Sequence, residues 1–534
     1  MEVSIQLTEL PPELLVYIFS YLSAYDLTSC AYVNRAFHAV ISGSVFLQYS
    51  IQLFKSCALD NRNSHLSYSE KLRLLQQREE SFNNCIPDFQ IQVPLPFNPG
   101  SVYDLSGDVY LLGDNTRQSL QYLRLPNTPD QTPQWSRLHS GDKYIVDFGV
   151  NLQEHDLIAL VTAEVRERSG SSSVLSIELA LRQFSTGRNH PKARVPSIPV
   201  VVSELRFSTP SINLEIVGRY LALVTTFWRN PSAHCVVTVY EWQSGRVVME
   251  IDGNPETYSG VVFLSEDVIL LPNTQTRALE IWNIPGPNEH QPSAPVMQLA
   301  LPKLLPDNVL RFISCRAEPN PIGSGSDLKH STRPFHYDPL NSIVLLHLRV
   351  NALHLSSLFT IFVHRRALLD LLPPNAPFGD IDREKQVPWS EWAPSRTCSV
   401  DLEGQTPSRW ITTTCGQRFV FLPTVDDDDN QSYDDLRRRP SPIVLFDFNP
   451  HNVRQAEREL AKDSSVTKVV DPGGRVLDAQ ETFAEEIVSY LPYVVTATYK
   501  RHRLDGVLMD EERVIGLQTD ARGHIKYIEI FHFG

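Results

Sequence analysis

The chain has 534 residues, 42% of them hydrophobic, and a formal net charge of −14 from 48 basic and 62 acidic side chains. Such a length allows several domains and a large buried core. The acidic balance excludes a general nucleic-acid or anionic-membrane binder, since both need a basic footprint.

Near the N-terminus, Leu14, Leu15, Ile18, Phe19 and Leu22 recur at i, i+1, i+4, i+5 and i+8, one broad face of a helix. Pro11 and Pro12 sit where a helix can begin, because its first turn needs no amide hydrogens. Asp26 is placed to cap a second helix carrying Leu27, Cys30 and Ala31. Phe37, Val40 and Ile41 form a third face, with Gly43 as its stop. Three such short helices have too little interior for all this apolar surface, so part of it is expected to dock a partner.

Ser44 can cap a fourth helix bearing Phe46, Tyr49, Leu53 and Phe54, and Ser56 to Ser64 reads as a loop. Ser67 and Glu70 fit a capping box. The helix behind them, to about Phe82, is mostly charged, with Leu72, Leu74 and Leu75 inside. It is expected to be a spacer lying on a neighbouring surface rather than a core helix.

From residue 86 the period changes. Short runs rich in Val, Ile, Leu and Tyr alternate with turns of Gly, Pro, Asn and Asp. The clearest unit runs from Leu214 to Ile251, with strands at Leu214–Val217, Tyr220–Val224, Val236–Trp242 and Val247–Ile251. A similar unit follows at Val261–Leu264, Val268–Leu271 and Leu279–Asn283. Tyr240-Glu241, Trp282-Asn283 and Phe446-Asp447 resemble the end-of-strand dipeptide of WD-type propeller blades. The last strand is expected at Ile525 to Phe531, paired with an early one so that no edge stays open. The architecture read here is a β-propeller of seven blades, with six or eight as alternatives. A pair of β-sandwiches would give the same strand signals. Long insertions are expected at 183–199, 285–297, 316–338, 371–408 and 423–442.

Catalytic signatures do not emerge. The sequence has no Gly-x-x-x-x-Gly-Lys loop, Gly-x-Ser-x-Gly elbow or His-Glu-x-x-His pair. Gly323 to Ser326 reads as a flexible loop, Asp426 to Asp429 as a solvated acidic run, and Arg437 to Arg439 as exposed bases. Seven cysteines, at 30, 57, 85, 235, 315, 398 and 415, include no Cys-x-x-Cys pair, as in proteins of a reducing compartment. Met1 to Glu9 holds two acids and no base, unlike a secretory signal. No run of eighteen apolar residues offers a membrane span. No cofactor or metal is expected, and the expected location is cytoplasmic, nuclear or both.

Leu10-Pro11-Pro12-Glu13-Leu14-Leu15-Val16-Tyr17-Ile18-Phe19-Ser20-Tyr21-Leu22, then Asp26-Leu27, then Val33-Asn34-Arg35-Ala36-Phe37, resembles the F-box. Asn34 stands where that family commonly has Cys, and Phe37 where it has Trp. Gln48 to Leu53, the Leu-rich Glu/Arg helix and the ending from Asp510 to Gly534 are similar to F-box proteins numerous in mushroom-forming fungi. The resemblance implies an F-box over 5–45, a helical spacer over 46–85 and a propeller-like substrate-binding domain over 86–534. The fold class is then α+β multidomain, a small all-α unit followed by a mostly-β propeller.

It further implies a non-catalytic substrate receptor of a ubiquitin ligase, docked on a Skp-type adaptor and through it on a cullin, holding an unknown target protein. The implied adaptor-binding residues are Leu10, Pro11, Leu14, Ile18, Leu22, Leu27, Val33 and Phe37. Two alternatives are an F-box scaffold working outside the ligase and a propeller hydrolase. The hydrolase would need acid and His ligands converging on the central channel, and perturbed carboxylates there would favour it.

Overall fold

In the computed structural model the described residues are 7–534, apart from 142, 169–171, 205–209, 229–232, 288, 327, 353–354, 374–385, 403–411, 424–439, 463–467, 478–480 and 521. The Asp426 to Asp429 and Arg437 to Arg439 runs lie outside them.

The first half-hundred residues are helical, and their caps explain the boundaries. Helix α1 (Pro12–Phe19) begins on Pro11 with proline in its first turn, where a missing amide breaks no ladder bond. Helix α2 (Ala24–Ala31) is capped by Ser23, not by Asp26 as the sequence suggested. The capping residue must precede the helix in extended backbone. Ser23 does so, while Asp26 sits inside the helix and donates its amide to the Ser23 hydroxyl at 3.1 Å. Helix α3 (Arg35–Gly43) opens on Asn34, whose Oδ1 accepts from the Phe37 amide at 2.8 Å. The residue that departs from the family pattern therefore caps the helix.

Helix α4 (Val45–Lys55) starts on Ser44 as expected. Helix α5 (Tyr68–Asn84) carries both bonds of the Ser67–Glu70 capping box. Between them, the expected loop contains a strand, Ala58–Asp60, paired antiparallel with Phe335–Tyr337. Its partner lies in the segment read as an insertion, so no local pattern could reveal it.

The remaining chain builds seven sheets of four or five strands among the described residues. The clearest sequence unit is one of them: Ser211–Val217, Tyr220–Phe227, His234–Glu241 and Arg246–Gly253 pair in chain order. Every residue of Tyr220–Phe227 is buried, as befits a strand covered on both faces. The last sheet joins Gly506–Met509, Arg513–Thr519 and Ile525–His532 to Phe89–Pro94 from the start of the region. That pairing covers the edge of the terminal strand.

Apolar layers between neighbouring sheets close the ring. Leu111 and Leu120 of the first sheet meet Ile145 and Leu160 of the second. Leu157 and Ile177 then meet Leu214 and Trp242, and Val237 meets Phe263 and Ile269. Leu270 and Leu279 meet Ile313 and Leu346, and Phe362 meets Phe419 and Phe446. Val420 and Leu445 meet Val507 and Phe531, and Ile515 and Ile528 return to Tyr110 and Leu123. Two β-sandwiches would pack sheets in isolated pairs. Here each sheet packs on two neighbours, so the chain folds as a propeller.

Candidate functional site

The helical unit has a core of Leu15, Phe19, Leu27, Phe37, Ile41 and Leu47. Phe19 and Phe37 meet edge to face at 5.2 Å, a favoured aromatic geometry. With α1 only eight residues long, two of its side chains, Leu15 and Phe19, are buried. Val16 is half-buried against the same core, and the rest of the helix's apolar surface faces outward. Leu14 is 50% exposed, and Tyr17, Ile18 and Tyr21 continue the same stripe at helical spacing. Tyr25, Tyr32 and Val33 are also exposed, Tyr32 to 86%.

The eight residues implied by the family pattern fall into three groups. Pro11, Leu14, Ile18 and Val33 are exposed. Leu10 and Leu22 are half-buried against the core, and Leu27 and Phe37 are inside it. The four tyrosines at 17, 21, 25 and 32 were missed. Tyr17 and Tyr21 stand three residues beyond Leu14 and Ile18, so the α1 periodicity carried that signal. Their rings meet edge to face at 5.2 Å, and the Tyr21 hydroxyl donates to that of Tyr17 at 2.6 Å.

Helices α4 and α5 mount this unit on the ring. Phe46, Leu47 and Ile51 of α4 pack into the helical core, while Tyr49 and Leu53 face Leu72, Leu74 and Leu75 of α5. Helix α5 does lie on a neighbouring surface, but charges as well as leucines face inward. Lys71, Arg78 and Glu79 are buried with Leu75 and Phe82.

Each buried charge on α5 meets a counter-group. Lys71 Nζ donates to Asp60 Oδ1 at 2.7 Å and to the Asn61 carbonyl at 2.9 Å. Arg78 grips Glu79 Oε1 and lies over the rings of Phe335 and Tyr337 at 4.8 and 4.5 Å. Arg418, from the sixth sheet, donates to Glu79 Oε2 at 2.6 Å and to Asp447 Oδ2 at 3.1 Å. Burial alone would raise the Glu79 carboxyl, but Arg418 and Arg78 outweigh it and hold it below the usual carboxylate range. Phe82 stacks on Phe533 at 4.5 Å, tying α5 to the closing sheet.

The expected insertion 316–338 crosses the strand ends at one mouth of the channel. Asn320 Nδ2 donates to Glu215 at 2.8 Å, and the Gly323 and Ser324 amides donate to Glu154 and Glu266. Arg333 reaches the Gly107 carbonyl and makes ion pairs with Asp510, Glu511 and Glu512. Beneath it lies a cavity of about 140 Å³ lined by six carboxylates, Asp104, Glu154, Glu215, Glu318, Asp510 and Glu511, and one arginine, Arg333.

Burial, with Glu215 adding to it, pushes Asp104 up to about 7. Burial also raises Glu215 and, joined by the charges of Glu215 and Asp104, raises Glu318 well above its ordinary value. Perturbed carboxylates of this kind are what would favour the hydrolase alternative. The metal-ligand convergence it also requires is not found among the described residues, where no three His, Cys, Asp or Glu side chains are placed to hold a metal ion.

Residues 7–51 match the F-box-like family. Together with the ring, this makes the chain an F-box-like domain followed by a β-propeller-type region. No curated protein matches the chain. Among solved structures, the C-terminal WD40 domain of Sif2 is 10% identical with a TM-score of 0.31, covering 83% of this chain and 97% of that one. Sqt1 from Chaetomium thermophilum is 10% identical with a TM-score of 0.34, covering 81% and 82%. A luciferin-regenerating enzyme is 9% identical with a TM-score of 0.27, covering 64% and 92%. At such scores the propeller rests on the sheets and their packing described above.

Proposed function

We propose that this chain is the substrate-receptor subunit of a Skp-adaptor/cullin/F-box-type ubiquitin ligase. F-box domains generally bind Skp-type adaptors, and the observation carrying this reading is the exposed apolar face of the F-box-like unit. Leu14, Tyr17, Ile18, Tyr21, Tyr25, Tyr32 and Val33 are left outside by a unit too small to enclose them. Exposed aromatics and aliphatics clustered in this way suit the buried centre of a protein interface. The ring would hold a target protein, and the receptor itself would make and break no bonds. It would act by raising the target's concentration beside the ubiquitin-loaded enzyme. The buried charges on α5 support a fixed geometry for that presentation.

Tagged full-length protein purified from cells, with and without proteasome inhibition, tests the reading. Recovery of a Skp-type adaptor, a cullin and target proteins that accumulate on inhibition is the expected result. Adaptor without cullin would favour the scaffold alternative, and absence of both would overturn the docking assignment.

A further inference from the structure

We propose that the cavity under the 316–338 segment binds a primary ammonium group, carried either by a small free amine or by a lysine side chain of another protein. The proposal stands apart from the ligase reading, because it rests on the channel alone.

Partner by partner, the carboxylates lining the cavity are unequally satisfied. Arg333 is shared by Asp510, Glu511 and Glu512. Glu154 accepts from the Gly323 amide and the Asn151 side chain. Three acids remain. Glu215 accepts from Asn320, with an Arg316 nitrogen 3.7 Å away. Asp104 accepts from the amide of Leu105 at 2.7 Å. The Glu318 carboxylate lies beside Glu215 and Asp104, whose charges oppose its ionisation, with Arg365 and Arg316 only partly offsetting them. Confined charges of one sign repel strongly in a low-dielectric cavity, so these acids gain most from an arriving cation.

A second observation comes from a different side chain. His336 is only 5% exposed and lines the same cavity, yet its Nδ1 meets no hydrogen-bond partner. Burial, reinforced by Arg333, pushes its imidazole down to about 4, so it is neutral at physiological pH and one ring nitrogen offers a lone pair. A buried polar atom without a partner is costly unless something supplies one.

An alkylammonium has three donors and no acceptor. Its charge suits a cavity lined by carboxylates and a neutral imidazole, and its alkyl stem suits a volume of about 140 Å³. A bare metal ion fits less well, since no three ligating side chains among the described residues are placed to hold one. Binding should release protons, because an arriving cation favours the ionised acids.

Calorimetric titration of the full chain at pH 7.5 tests this, using 1,4-diaminobutane as the free amine and Nα-acetyl-lysine amide as the side-chain mimic. Two buffers of different ionisation enthalpy report the protons released. Saturable binding with proton release is expected. Glu318→Gln should weaken it roughly tenfold or more, as expected for loss of a charge-assisted hydrogen bond. Asp104→Asn serves as the second variant should Glu318→Gln fail to fold, and thermal unfolding checks each. Binding of diaminobutane alone assigns the site to free amines, and binding of both admits a lysine side chain. No saturable heat with either probe, equal affinity in the folded variants, or equal displacement by potassium would overturn the proposal.

Discussion

The F-box-like unit and the ring treat apolar surface in opposite ways. In the ring, strands such as Tyr220–Phe227 and Val268–Asn273 are buried along their whole length, because every sheet has a neighbour on each side. In α1, Leu15 and Phe19 are inside, while Leu14, Tyr17 and Ile18 are left to solvent. The difference follows from size and closure. A ring of sheets satisfies its own faces, whereas a few short helices cannot. The larger region covers its own apolar faces, and the smaller leaves part of its own to solvent, the face proposed to dock the adaptor.

Breaking the closure should have the largest effect. Deleting residues 525–534 removes the strand between Arg513–Thr519 and Phe89–Pro94, together with Ile528, Ile530 and Phe531 from two apolar layers. The ring should unfold as a whole, read as loss of its cooperative thermal transition. A truncated protein that kept that transition would show that the ring does not depend on closure.

Next in size is the junction between the two regions. Arg418→Ala leaves Glu79 and Asp447 buried without their shared cation, a loss of about 3–5 kcal/mol for such pairs. The pH dependence has a definite sign. Glu79 is depressed in the folded state, so its contribution is present above its unfolded value and is lost as pH falls through the folded one. Denaturant melts of the wild type should therefore weaken on acidification below the ordinary carboxylate range, and the Arg418→Ala variant should lose this part of the slope. Parallel acid profiles would show that the pair is not coupled to folding.

Within the F-box-like unit, the comparison predicts a split between core and face. Phe37→Ala should cost about 3–5 kcal/mol of local stability, since Phe37 is inside the core and packs on Phe19. Leu14→Ala should leave unfolding unchanged while weakening adaptor binding by about 2 kcal/mol, roughly thirtyfold. The pair Leu10→Ala with Pro11→Ala should act in the same direction. Calorimetric titration of purified adaptor, set beside thermal melts, separates the two classes. Equal adaptor affinity for wild type and Leu14→Ala would remove the exposed stripe from the interface.

The smallest effect is expected at the channel acids. Asp104 is raised, so the folded state holds its proton more tightly and stability falls as pH rises from the ordinary value towards about 7. Asp104→Asn should gain stability over wild type at pH 8 and little at pH 4, in amine-free buffer. A pH-independent difference would mean that the carboxylate is not strained by its surroundings.

Patterns with short range were legible in the amino-acid order. The Ser67–Glu70 capping box, the helical faces of α1 to α4 and the meander from Leu214 to Ile251 arise from neighbours a few residues apart, which periodicity and capping chemistry report directly. The family pattern likewise marked Leu14, Ile18 and Val33 before their exposure was known. Other features were decided by the tertiary structure. Lys71, Arg78 and Glu79 belong to a helix that reads only as a mostly charged spacer, and 316–338 reads only as an insertion. Glu79 is buried because Arg418 lies 339 residues away in sequence and 2.6 Å away in space. The insertion crosses the channel because Arg333 finds Asp510, Glu511 and Glu512 on the closing sheet. A charge is buried only where a counter-charge waits, and such a meeting between distant segments leaves no local period to read.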